Sequence, residues 1–227
     1  MREWLLFTVR HSIANWLEQL PLQTAQRVMH VVWPHTIEWE IQHEKSEDVD
    51  NDLFQYFYWS QSAASPMREP NVAERSVVIA FQPPWILSPQ DIQSFVKLNS
   101  FPSFEMVEEQ DRYYQSAQRV WAKVWDVCFN KRCPWFVLSS GCDWVFGAFT
   151  PGWTRAFVSP VISMTQDNPS PLECLVYWLA SANGIPNAWM IPKVGERPLN
   201  TTVESPCIAY DLLPHDSEGA MELALLI

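Results

Sequence analysis

Apolar residues at Leu5, Leu6, Val9, Ile13, Trp16, Leu17 and Leu20 recur with helical spacing from Glu3 onward, break near Pro21 and resume toward Val28 and Val31. A period near 3.6 puts such positions on one face. Proline cannot donate the amide hydrogen of a helix interior, so the pattern predicts two short helices or one broken helix. Thr36-Ile37-Glu38-Trp39-Glu40-Ile41-Gln42 alternates apolar and polar residues, which predicts a strand whose wet face carries Glu38 and Glu40. His43 to Asp52 reads as a charged loop, Leu53 to Trp59 as an aromatic segment of open type, and Ser60 to Glu74 as a polar, proline-punctuated loop. Ser76 to Phe81 is continuously apolar and β-branched, the pattern of a strand covered on both faces.

Ser88-Pro89-Gln90-Asp91 starts a helix with a serine cap, a proline in the first turn and an acid placed to favour the dipole. A longer helix is predicted from Asp111 to Phe129, with Tyr113, Ala117, Val120, Trp121, Val124 and Cys128 on one face. Another begins at Ser170-Pro171-Leu172-Glu173, which has capping-box spacing, and stops near Asn183-Gly184. Between the two lies a predicted meander with strands at Trp135 to Ser139, Trp144 to Phe149 and Arg155 to Ile162, turned at Gly141-Cys142-Asp143 and Pro151-Gly152. Its rings Trp135, Trp144, Phe146, Phe149, Trp153 and Phe157 divide between the sheet faces, and a face left uncovered would be an interaction patch.

This order of elements predicts an α+β fold with a mixed sheet, three-layer α/β/α being one form of it, in a single domain over 1–227. Within it, 1–34 are N-terminal helices, 35–165 a sheet with inserted helices, 170–184 a helix and 185–227 a proline-spaced extension ending in the apolar Leu223 to Ile227. The 227 residues are 48% hydrophobic and 18% charged, which excludes global disorder. A net charge of -11 leaves no basic stripe for nucleic acid. Five cysteines without C-x-x-C spacing read as reduced core thiols, not zinc ligands, with Cys128 and Cys174 on apolar helix faces. The run Trp4 to Val9 is too short to span a bilayer, and the expected location is cytoplasm or nucleus, with no membrane partner.

The segment PWFVLSSGCDWVFGAFTPGWTRAFVSP, with Pro171 to Trp178, Ala80 to Trp85 and Ala122 to Asp126, resembles a set of uncharacterised proteins from mushroom-forming (basidiomycete) fungi over roughly residues 75 to 195. At a deeper level, a strand, a buried strand, a helix and a strand pair beginning WFVLSS resemble the PD-(D/E)XK nuclease-like fold. That resemblance implies a strand carboxylate and a Glu-x-Lys that hold Mg²⁺ and position an attacking water. The matching place is Ala80-Phe81-Gln82, where Ala80 replaces the acid and Gln82 the lysine, so the resemblance implies a degenerate, non-catalytic member.

Three uses of the chain remain open on these residues. The first is a non-catalytic protein that acts by binding a protein partner, with no cofactor. The second is a divergent Mg²⁺- or Mn²⁺-dependent nuclease in which Glu38, Glu40 and Gln82 converge and Glu18 or Glu74 completes the shell, although alternating glutamates are also an ordinary solvated strand face. A third reading is a small-molecule site between the meander and the helix from Asp111 to Phe129. Ser139, Ser140, Cys142 and Asp143 cluster at a hairpin, yet none of His11, His30, His35, His43 and His215 lies in a catalytic motif, and turn chemistry accounts for the cluster. His35 and Arg155 could rim an apolar patch.

Overall fold

In the computed structural model of the chain, which describes residues 12–44, 54–65, 71–98 and 116–196, seven strands form one mixed sheet. They are β1 (Trp39–His43), β2 (Gln55–Gln61), β3 (Val77–Phe81), β4 (Trp135–Ser139), β5 (Asp143–Phe149), β6 (Ala156–Val158) and β7 (Ile162–Ser163). The helices are α1 (residues 12–32), α2 (Val72–Arg75), α3 (Pro89–Lys97), α4 (Ser116–Asn130) and α5 (Pro171–Ala182). Strands β1 to β6 neighbour one another in chain order, and β7 pairs with β5. All pairs are antiparallel except β3 with β4. A parallel pair requires a long crossover, and α3 and α4 lie within it.

Alternation along the strands sorts side chains into two cores. Val77, Ile79 and Phe81 of β3 join Trp135, Val137, Trp144 and Phe146 against α1 and α5. Val78 and Ala80 join Phe136, Leu138, Val145 and Phe149 against α3 and α4. Both faces of β3 are therefore dry, as its unbroken apolar run predicts, and every residue of the strand is buried. The described residues form three layers, helix, sheet and helix, within the α+β class. Filling each face with large rings contributes roughly 1.5–3 kcal/mol per fully buried side chain. The meander rings divide as expected, Trp135, Trp144 and Phe146 to one core and Phe149 and Trp153 to the other, but neither face is left uncovered.

Local signals explain most boundaries. Ser88 and Ser170 each accept from the N3 amide, and the Asp91 and Glu173 carboxylates accept in turn from the backbone amide of the cap, so both helices open on complete capping boxes. Gly184, at φ 68°, follows α5 in the left-handed conformation that ends helices. Helix α1 does not split at Pro21. Glu18–Leu22 forms a π-helical turn around the proline, and the Gln23 amide reaches back to Glu18, so the missing donor is absorbed without a break.

Three expectations need correction. The first strand starts at Trp39, three residues later than its alternation suggests, because Pro34–Thr36 forms a 3₁₀ turn with the Thr36 hydroxyl donating to the Trp33 carbonyl at 2.8 Å. The third meander strand is divided into β6 and β7. One extra residue is accommodated between the Gly147–Val158 and Trp144–Ile162 pairs, where the Phe146 amide donates to the Ser159 hydroxyl at 3.0 Å and Pro160 has no amide to offer the ladder. Leu53 to Trp59 resolves as β2 from Gln55 onward, and α2 lies within the predicted loop from Ser60 to Glu74. Residues 1–11, 111–115 and 197–227, including Leu223 to Ile227, lie outside the described residues. No described helix is long and apolar enough to cross a membrane.

Candidate functional site

Strand register decides whether the acidic candidates meet. Ile41 and Val77 both pair with Trp59, so Glu40 lies level with the start of β3 while Gln82 lies just beyond its end. That separation is roughly 20 Å along the strand and about 10 Å across, since β2 stands between them. Convergence of Glu38 and Glu40 with Gln82 is therefore not met. Glu38 instead accepts from the Ser65 hydroxyl and, at 3.4 Å, from Gln61 Nε2, closing the open end of the β1–β2 pair. Glu40 accepts from Gln42 Nε2 at 2.5 Å on the exposed edge.

The two supplementary acids are no nearer. Ala80 packs among the residues facing α3 and α4, whereas Glu18 sits on α1 across the sheet, and Glu74 precedes β3 at the end remote from Gln82. Gln82 is 6% exposed, and its amide donates to the Ser139 carbonyl at 3.1 Å, extending the β3–β4 ladder by one bond. Among the described residues no group of three or more His, Cys, Asp or Glu side chains is placed to hold a metal ion.

The end of the sheet around Gln82 is polar for structural reasons. Ser139 Oγ accepts from the Gly141 amide at 2.9 Å and Ser140 Oγ from the Asp143 amide at 3.1 Å, so both hydroxyls shape the β4–β5 turn. Burial holds the Asp143 carboxyl above its ordinary range. The described histidines lie on α1 (His30), in the 3₁₀ turn (His35) and on β1 (His43), and β2 and β3 separate β1 from Ser139 on β4. Gln55, opposite Phe81 at the same sheet end, has a buried Oε1 without a hydrogen-bond partner among the described residues. Cys128 and Cys133 are buried, and burial pushes Cys133 up to about 12, which suits core thiols; Cys142 is exposed and Cys174 is half-buried.

The space considered for a small molecule, between meander and α4, is filled. Phe95 stacks on Trp121 at 4.1 Å, Trp121 meets Phe136 edge-on at 5.8 Å, and the Phe136 ring lies on Gly147, where a methyl group would come within 2.2 Å of it. Trp121 Nε1 donates to the Phe95 carbonyl at 2.9 Å and Trp125 Nε1 to the Trp153 carbonyl at 3.1 Å, tying α4 to α3 and to the β5–β6 turn.

What the sequence pattern misses lies on the outside of α1 and in long-range polar contacts. Leu17, Leu22, Ala25 and Met29 take the core side, leaving Leu20 54%, Val31 80% and Val32 54% exposed, with Ile37 64% exposed just after. Trp16 is exposed as well. The helical period revealed apolar positions but not which of them face outward, because the π-helical turn at Glu18–Leu22 shifts the phase of the helix between Leu17 and Leu22. Lys131 pairs with Glu44 and lies 4.3 Å from the Tyr58 ring centroid, while the Tyr58 hydroxyl donates to Glu44 at 2.7 Å. Burial and then the Glu44 carboxylate raise the Tyr58 phenol well above its usual value. Glu196, distant in sequence, is bound by the β5–β6 turn. Searches against protein-family models, curated proteins and solved structures found no match for this chain.

Proposed function

We propose that this chain is a non-catalytic protein with a nuclease-like order of elements, working by binding a protein partner through the exposed side of α1 and the turn after it. The observation that carries the partner half is the exposed group Leu20, Val31, Val32 and Ile37, four aliphatic residues outside either core. Val31, Val32 and Ile37 follow one another closely at the end of α1 and in the turn after it, and apolar exposure gathered in one place marks interaction sites. The chain's charge of -11 favours a partner segment with apolar anchors and a basic flank.

The non-catalytic half is supported by the chemistry of β3. A buried strand, a helical crossover and a strand laid parallel to it accord with the nuclease-like resemblance, but Ala80 and Gln82 offer neither a carboxylate nor an ammonium. The metal-dependent alternative requires convergence of Glu38 and Glu40 with Gln82, and the register holds them at opposite ends of the sheet.

Calorimetric titration of Mn²⁺ into the chain, beside a Glu38→Ala, Glu40→Ala double variant, tests the second half. No saturable heat in either protein is expected; one equivalent bound by the wild type and lost in the variant would restore the nuclease. For the first half, cell extract is passed over the wild type and over a Val31→Glu, Ile37→Glu variant with unchanged circular dichroism. A basic protein retained by the wild type and lost by the variant is expected, and equal retention would remove α1 as the binding face.

A further inference from the structure

After α5 the chain turns at Asn183 and Gly184, turns again over Ile185–Ala188, where the Ala188 amide donates to the Ile185 carbonyl at 3.1 Å, and then returns across the first core without regular structure as far as Glu196. Ile185, Trp189 and Ile191 pack on that core. Trp189 stacks on Trp178 at 5.2 Å and meets the edges of Trp135 at 5.5 Å and Phe157 at 6.0 Å. Beyond Ile191 apolar anchoring ends, and the polar Glu196 makes the next fixed contacts. Its carboxylate receives the Thr150 hydroxyl at 2.6 Å, the Gly152 amide at 2.7 Å and the Thr154 hydroxyl.

This arrangement is a built site. The turn folds around Thr150, which is fully buried and whose amide donates to the Arg155 carbonyl at 2.9 Å. Trp153 takes a left-handed φ of 61°, and its amide donates to the Thr150 carbonyl at 2.8 Å. Two hydroxyls and one amide then point at a single carboxylate, the kind of donor concavity that binds anions. Gly152 is part of the fit: a Cβ there would lie 2.5 Å from Glu196 Cδ and 2.7 Å from its Cγ. Partial burial pushes the Glu196 carboxyl up, but the hydrogen bonds from Thr150, Thr154 and Gly152 outweigh it and hold the group below its ordinary value.

We propose that the Thr150–Thr154 turn is a carboxylate receptor whose occupant is Glu196, and that this contact latches residues 185–196 as a strap over the aromatic face of Trp135, Trp178 and Phe157. With the latch open, Trp189 loses its distal tether and the rings of Trp135, Trp178 and Phe157 lose their cover. The inference uses none of the residues on which the proposed function rests, so the two stand or fall separately.

Two variants open the latch from opposite sides. Glu196→Gln removes the anion, and Gly152→Ala occupies the space of the carboxylate while leaving the sequence of the strap unchanged; Gly152 lies outside the left-handed region, so alanine is compatible with its backbone. Hydrogen exchange read by mass spectrometry should show amides of 185–196 exchanging at least tenfold faster in both variants, with β3 and β4 unchanged. Unchanged strap exchange in both, or acceleration in only one, would overturn the latch. Equal acceleration throughout the sheet would also overturn it, by showing that Glu196 serves general stability.

Discussion

A methyl group on Gly147 would lie 2.2, 2.6 and 2.8 Å from three carbons of the Phe136 ring, which is directly across the β4–β5 pair and fully buried. The ring cannot retreat, because Phe95, Trp121 and Phe149 surround it. Gly147→Ala should therefore destabilise the fold by about 1–3 kcal/mol, the usual cost of overpacking a tight core. At this size that is a fall in Tm of roughly 3–10 °C. Thermal denaturation checks it, and in a Phe136→Leu background the same substitution should cost less, because the two residues are coupled through one contact. Glycine at 147 was visible in the sequence only as one residue in a strand. Its reason is a ring eleven positions earlier that the register sets opposite it.

Helices α3 and α5 are written into short stretches of chain. At α3 the Ser88 hydroxyl receives the Asp91 amide at 3.2 Å, and Asp91 receives the Ser88 amide at 3.1 Å. Ser88→Ala should cost about 1 kcal/mol, typical of an N-cap, and urea melts should show that loss while the slope with denaturant stays constant, since the buried surface does not change. Such motifs were legible because every partner lies within three residues. The β6–β7 division was less so. Pro160 signals a missing donor, but whether the chain then ends the strand or bulges past the gap depends on β5 presenting Phe146 opposite Ser159.

Over the whole molecule, a sheet dry on both faces leaves function to edges, turns and the outer sides of helices. The charge of -11 acts at this scale, as a field and not as a contact. If a basic partner docks on the α1 side, its association rate should fall steeply as ionic strength rises, because a Debye length near 10 Å at 0.1 M screens distant charges. Its dissociation rate, set by the apolar anchors at Val31 and Ile37, should change little. Stopped-flow measurements between low and high salt separate the two, and a salt-independent association rate would remove charge from the recognition.

The sequence by itself determined what depends on neighbours in the chain: the capped helices α3 and α5, the two-sided burial of β3, the turns after β4 and β5, and the absence of acid and lysine at Ala80 and Gln82. Periods of 2 and 3.6 and capping geometry are local, so they survive without knowledge of the fold. Tertiary structure decided the rest. It placed β2 between β1 and β3, which carries Glu38 and Glu40 away from Gln82, and it chose which of the apolar residues of α1 face the core. It also brought Glu196 to Thr150 across more than forty residues of chain. Strand neighbours and helix orientation are selected by the joint packing of both cores, a property of many distant residues at once, and no single window of sequence contains it.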